Sequence, residues 1–263
     1  MLIESDDRYT ESLVELWKEV FGDSEEYIRL FFKNAYYDSL CFAETEGDRV
    51  ISAFYLLGCT VKFQGKSYNG HYLYAAATLP EYRGKGLMSK LINEAIDYAG
   101  SINSDFIALV PADDGLYDYY GRFGFTEAMY KYKVSLDKTS DLSSELKPLS
   151  DCEAFGKIRN TADCNILVYN KIGSEYAFDC LRFSGTEIYS VSDSAYYAED
   201  EEFFSCSDDF SSDVSELSKS LDESTVVYTN CPIQNAVKIR NGMIYNLRND
   251  IEFKDIYMNI ALD

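Results

Sequence analysis

Histidine is almost missing from this 263-residue chain: His71 is the single one. That scarcity argues against a His-based metal site and against a Ser-His-Asp triad, both of which need imidazole in a local cluster. No apolar run approaches the roughly 20 residues that cross a bilayer. The longest, from Val50 to Cys59, has the length of a strand. The opening residues, Met1 to Asp7, have neither the basic nor the apolar region of a signal peptide. A cytoplasmic protein without a membrane partner is therefore expected. Positive charge is short as well, with 24 Lys and Arg against 45 Asp and Glu and a net charge of -21. Such a surface repels phosphodiester backbones and favours encounter with cations, so no nucleic acid partner is expected. Solubility alone would also account for the acidity. The seven cysteines form an odd set without a C-x-x-C pair, which suits neither a disulfide framework nor a zinc site. They read as reduced core residues. No Asp/Glu-rich metal loop is present, so no metal is expected.

What remains is ordinary globular material, 46% hydrophobic and 26% charged, enough for one large or two small domains. Leu13, Leu16, Trp17, Val20 and Phe21 form a stripe at helical spacing, and Ile28, Phe31 and Phe32 form another. Gly22-Asp23-Ser24 separates them, with Ser24 placed to cap the second helix through the Tyr27 N–H. Strands follow over Leu40 to Glu44, Val50 to Phe63 and Tyr68 to Thr78, joined by turns at Glu46-Gly47-Asp48 and Gln64-Gly65-Lys66, which is an antiparallel meander. A helix over Gly86 to Ala99, a buried strand over Phe106 to Val110, a short helix over Leu116 to Arg122 and a strand over Phe125 to Leu136 complete the first half.

Asp137 to Ser150 has the profile of a linker. The chain therefore reads as two units, 1–137 and 138–263. The class is α/β (α+β), with a central sheet and flanking helices followed by a second, smaller α+β lobe. In that lobe helices are expected near Asp151 to Asn160 and Val214 to Leu221. Strands are expected near Thr186 to Tyr197, Phe203 to Cys206, Val226 to Thr229 and Tyr257 to Leu262.

One segment carries chemistry. From Ala75 through Tyr82-Arg83-Gly84-Lys85-Gly86-Leu87-Met88 to Leu91, the chain runs from a strand through a glycine loop into a helix. Gly84 and Gly86 let backbone approach a ligand, while the free N–H groups and dipole of the helix start face an anion. Arg83 and Lys85 can add charge-assisted bonds. A nucleotide P-loop would need Ser or Thr where Gly86 follows Gly84-Lys85, and a dinucleotide fingerprint would need glycine where Ser89 stands. A plain glycine turn opening a helix is the alternative.

With these residues the chain resembles the GNAT superfamily of N-acetyltransferases, and within it the Eis-like subgroup. Their acyl-CoA loop has the pattern Arg/Gln-x-x-Gly-x-Gly/Ala, whose defined positions are filled by Arg83, Gly86 and Met88. Met88 departs from the small residue usual at the last position. Tyr120-Gly121-Arg122-Phe123-Gly124-Phe125 is similar to the family's second signature. The resemblance covers about Met1 to Leu136 and implies a mixed, splayed sheet with the pantetheine arm of acetyl-CoA between two strands. It makes Ala76, Ala77 and Thr78 its backbone partners and Arg83, Gly84, Lys85, Gly86, Leu87 and Met88 its phosphate loop. The second lobe then reads as a degenerate GNAT-like copy that walls the acceptor cleft.

The implied activity is N-acyl transfer to a primary amine of a small cationic acceptor, with acetyl-CoA as cosubstrate. Tyr120 matches the tyrosine beside the thioester sulfur and becomes the expected general acid. His71 and Asp263 are the candidates for general base, the latter through the Eis-like resemblance. Two other readings stay open, a non-catalytic acyl-CoA-binding or regulatory module and a binding protein that captures a basic partner. The acceptor and the oligomeric state are not legible.

Overall fold

The computed structural model describes residues 2–3, 8–137, 147–149, 165–191, 194–199, 202–205, 224–229, 235–258 and 262. Two amphipathic helices lead, α1 (Thr10–Phe21) and α2 (Glu25–Asn34), which bury Leu13, Leu16 and Trp17 and Ile28, Phe31 and Phe32. Ser24 caps α2 as expected, its Oγ accepting from the Tyr27 N–H at 3.2 Å. The meander consists of β1 (Leu2–Ile3), β2 (Leu40–Glu46), β3 (Arg49–Phe63) and β4 (Lys66–Thr78), all antiparallel neighbours. A 3-10 turn over Pro80–Tyr82 leads to α3 (Leu87–Ser101), β5 (Phe106–Leu109), α4 (Asp114–Gly121) and β6 (Thr126–Leu136). Every element expected in the first half is present within two or three residues of its expected ends.

The second half holds β7 (Lys147–Pro148), β8 (Ile166–Tyr169), α5 (Lys171–Phe183), β9 (Glu187–Val191), β10 (Ser194–Glu199), β11 (Glu202–Ser205), β12 (Thr225–Thr229) and β13 (Val237–Asn246). The strands form one mixed sheet in the order β1-β2-β3-β4-β5-β13-β6-β12-β11-β10-β9-β7, with β8 added along β3. The late strand β13 lies between β5 and β6 and runs antiparallel to both. Its Gly242 sits at a register shift, where an added Cβ would meet the Met129 side chain and stand 2.8 Å from the Leu109 carbonyl oxygen. Only glycine permits this close approach.

The sheet splays where the expected site begins. β4 pairs with β5 in parallel at Gly70↔Phe106, His71↔Ile107 and Tyr72↔Ala108, and then the two part. β5 continues along β13, while β4 runs on to Thr78 without a strand on that edge among the described residues. A bulge drives the divergence: the β3–β4 register shifts between Ala53 and Tyr55, and Ala75 opposite takes a left-handed φ of 50°. For a residue with a Cβ that conformation costs about 1–2 kcal/mol, so the packed sheet must hold it in place.

The two sheet faces carry different clusters. One gathers Trp17, Phe31, Tyr36, Tyr55, Tyr72 and Tyr74 with Tyr176 and Phe178 of α5, and the other gathers Leu73, Leu91, Ile92, Ile107, Tyr117 and Tyr120 around α3 and α4.

The strands expected near Thr186 to Tyr197 form the hairpin β9–β10. Some expectations change. Lys147–Pro148, inside the segment read as a linker, adds a strand beside β9. The strand expected from Tyr257 to Leu262 does not form in its described part. Ile256 and Tyr257 make only single bridges, to Met129 and Ile166, because the chain crosses from one strand to another there. β8, α5 and β13 were not anticipated. The helices expected near Asp151 to Asn160 and Val214 to Leu221 lie outside the described residues, as do Cys152, Cys164, Cys206 and Cys231. Cys41, Cys59 and Cys180 are buried and free, as core residues should be. No helix among the described residues is long and apolar enough to cross a membrane.

Candidate active site

β4 delivers Ala76, Ala77 and Thr78 to the open edge of the splay. Ala77 is buried, paired with Ala53 of β3, while the edge that would face β5 has no strand partner among the described residues. Thr78 is fixed from the β3 side, its Oγ1 lying 2.8 Å from Ser52 Oγ. The loop then folds back on itself. Arg83 Nε donates to the Thr78 carbonyl at 3.1 Å, and the Lys85 ammonium lies 4.5 Å from the centre of the Tyr82 ring. Gly84 and Gly86 both take left-handed backbone, φ 75° and 78°, and a Cβ added to either would meet no protein atom within 4 Å. That space is open.

Gly86 is the N-cap of α3, and among the described residues no side chain caps this helix start. Its first turn holds no acidic residue either, so the free N–H groups of Leu87, Met88 and Ser89 and the positive end of the dipole are uncompensated. Such a terminus is a ready anion cradle. Met88 does not obstruct it: its side chain packs onto the cluster beneath α3 and α4, which explains how a bulky residue stands where the related loops carry a small one.

Tyr120 reaches the same cluster from α4, together with Ala76 and Met88. The helix is set locally, by the Asp113 carboxylate accepting from the Leu116 N–H at 3.0 Å. The Tyr120 ring is 6% exposed and edge-on to Phe125 at 5.8 Å. Burial, with Tyr119 alongside, raises its pKa above the usual phenol value, so the group stays protonated at neutral pH. Among the described residues nothing is hydrogen-bonded to its hydroxyl, which leaves it available as a donor.

Tyr119 and Ser89 join the site, where sequence reasoning did not place them. The hydroxyls of Tyr119 and Ser89 lie 3.3 Å apart, tying α4 to the first turn of α3. The spacing held a signal, since Ser89 is the third residue of α3, in its first turn. On the opposite face, Tyr74 directly precedes the bulge, and its hydroxyl lies 3.0 Å from that of Tyr176 of α5. Tyr27 extends the pair through bonds to Tyr74 and Cys180, and burial raises the pKa of all three phenols.

His71 is not brought to the loop. It lies where β4 and β5 are still paired, with Nδ1 3.2 Å from Ser104 Oγ, just past the end of α3. The 15 residues of α3 span about 22 Å, which separates His71 from Gly86. Burial lowers its pKa and keeps the ring neutral at pH 7. Asp263 lies outside the described residues. A concavity of about 770 Å³ lined by Lys66, Tyr68, Asp105, Arg248 and Asp250 is at the same closed end of the sheet. It shares no residue with the loop, the splay or α4, and its arginine is already bound by Asp105 and Asp250.

Residues 3–128 match the family model described as an acetyltransferase (GNAT) domain. Solved structures similar to the chain include a conserved protein of Enterococcus faecalis V583 described as a probable N-acyltransferase, with a TM-score of 0.69 and 13% identity over 94% of this chain and 72% of that one. A GCN5-related N-acetyltransferase from Kribbella flavida is similar with a TM-score of 0.67 and 15% identity, over 94% and 72%. Eis1 from Mycobacterium abscessus is similar with a TM-score of 0.68 and 9% identity, over 94% and 73%. At these identities the likeness is one of fold. No curated protein matches the chain in sequence.

Proposed function

Since residues 3–128 are a domain of the GNAT acetyltransferase family, we propose that the protein transfers an acetyl group from acetyl-CoA to the primary amine of a small cationic acceptor. The observation that carries this reading is the convergence of the splay after Tyr72, the uncapped start of α3 and Tyr120 on one apolar cluster. An acyl-CoA fits these residues. The open space over Gly84 and Gly86 and the free N–H groups of α3 suit its diphosphate, and the unpaired edge of β4 suits its amide-bearing arm.

The thioester supplies an activated acyl group. The chain's own part is to bind, orient and move protons. As the C–N bond forms and the C–S bond breaks, the amine loses a proton and the departing sulfur gains one. Tyr120 donates to that sulfur. Its raised pKa keeps the proton in place until negative charge develops, and the apolar surroundings strengthen the bond it then makes.

Asp263 is assigned proton removal from the amine. Support comes from its neighbour Leu262, which is buried in the cluster that holds Trp17 and Tyr74. Of residues 138–263, read as a second lobe, α5 is assigned the wall of the acceptor side, a role supported by Tyr176, which lies over Tyr74. The net charge of -21 favours a cationic acceptor over an anionic one.

Tyr120→Phe tests the mechanism, because it keeps the ring and its packing. Thiol release with the best amine is expected to fall by at least about 10², within the range for general acid catalysis, with acetyl-CoA affinity within a few-fold of the parent. A parental rate would remove Tyr120 from the chemistry.

A further inference from the structure

The strand that enters the sheet from late in the chain has a direct hold on the helix bearing Tyr120. Arg240 of β13 donates from Nη2 to Asp114 Oδ1 at 2.5 Å and from Nη1 to Glu127 Oε1 at 3.2 Å. Its guanidinium carbon lies 4.0 Å from the centre of the Tyr117 ring. Asp114 opens α4, Glu127 lies in β6 just after it, and Tyr117 stands one turn before Tyr120 on the same helix face. One guanidinium therefore spans the start and exit of α4 and stacks on its middle. The planar fork of arginine suits this task, and lysine could reproduce only part of it.

Two further contacts act in the same direction. Met243 of β13 belongs to the cluster of Tyr120, and the Tyr245 ring lies 5.5 Å from Phe125. Ion pairs as exposed as these contribute little to global stability, with Asp114 91% exposed. Their effect is geometric, and a proton donor displaced by about 1 Å can lose about 10² in rate.

We infer that Arg240 is a positioning residue for Tyr120, which it holds in place through α4, so that residues 237–246 couple the second half of the chain to the transfer step. The inference rests on the reading of Tyr120 as the general acid. Its test is a cycle of four proteins, the parent, Arg240→Ala, Tyr120→Phe and the double variant, assayed by thiol release. Arg240→Ala is expected to lower kcat about ten-fold with the KM for acetyl-CoA and the Tm near parental values, and Arg240→Lys to recover part of the loss. In the Tyr120→Phe background the same change is expected to cost nothing more.

Equal losses in both backgrounds, or an unchanged kcat for Arg240→Ala, would overturn the inference while leaving Tyr120 in its role. A parental rate for Tyr120→Phe alone would instead remove the general acid, and the inference with it. Hydrogen exchange gives a readout independent of turnover. Amides of residues 114–121 are expected to exchange faster in Arg240→Ala while those of α1 and α2 do not, and unchanged exchange in α4 would overturn the inference.

Discussion

The two faces of the sheet are assembled differently. The face under α3 and α4 draws most of its residues from Leu73 to Phe125, with Phe42, Phe54 and Leu56 from the meander and Met243, Tyr245 and Leu247 from the late chain. The face under α1 and α2 depends on distant chain, since Leu167, Tyr176, Phe178, Phe253, Met258 and Leu262 complete it. The first face is apolar, with the glycine loop and Tyr120 at its rim. The second is aromatic and threaded by buried hydroxyls. On the proposed reading, binding of the cosubstrate belongs to the first face, while late residues complete the wall opposite. Damage to one face should spare the property that the other provides.

The largest expected effect that separates the faces is on cosubstrate binding. Acetyl-CoA at one hundred times its dissociation constant stabilises the native state by about 2.7 kcal/mol, seen as a rise in Tm. Gly86→Val should abolish that rise by filling the space over the loop. Gly47→Val is the matched control, because Gly47 also has a left-handed φ, 64°, and open space around its Cβ position. It should lose similar stability yet keep the rise. If both variants lose it, strain alone is responsible and the loop is not the site.

On the aromatic face, Tyr176→Phe removes a partner of the Tyr74 hydroxyl. Because Tyr27 still reaches Tyr74, the loss is that of one hydrogen bond, about 0.5–1.5 kcal/mol. At about 2–4 °C per kcal/mol for a chain of this size, Tm should fall by a few degrees while acetyl-CoA affinity stays within two-fold. A matching loss of acetyl-CoA affinity would mean that the two faces are not separable.

Tyr119→Phe is a smaller test. Losing the contact with Ser89 should raise the KM for acetyl-CoA by about three-fold, consistent with one hydrogen bond of roughly 0.5–1.5 kcal/mol, and leave kcat alone. A changed kcat with a constant KM would place Tyr119 in the chemistry instead.

The smallest expected effect concerns pH. Burial lowers the folded pKa of His71 below 6.5, so the unfolded chain binds that proton more readily. The stability owed to a neutral His71 is complete above about pH 6.5 and declines as pH falls toward the folded value. The gap in urea midpoint between the parent and His71→Asn should therefore narrow from pH 7.5 to pH 5.5. A constant gap would show that His71 titrates alike in both states.

The difference between the faces also decides what was legible in the sequence. The loop from Ala75 to Met88 and the run from Tyr120 to Phe125 are contiguous, and backbone chemistry dictates their residues, so they could be read without a structure. The late elements could not. In β13, Val237 to Arg240 alternate as a strand should, but Asn241-Gly242 has the look of a hairpin turn. It is instead a pinched point of a through-running strand, where Asn241 is buried and bonds to the Met258 carbonyl. α5 carries Ile172, Tyr176, Ala177 and Cys180 at helical spacing, yet Gly173 in its first turn weakens the pattern. Its start is fixed by Asn170 Oδ1, which accepts from the Gly173 N–H at 2.8 Å. Arg240 had no signal at all, because its partners Asp114 and Glu127 lie more than a hundred residues away.

The central claim, that the splay and loop serve transfer rather than binding alone, is tested most directly by thiol release from acetyl-CoA across a wide set of amines, with mass spectrometry of the acceptors. The account predicts amine-dependent release that is greatest with small cationic acceptors and is matched by the acetylated amine. A rise in Tm with acetyl-CoA but no release with any amine would contradict it and leave a protein that binds the cosubstrate without using it.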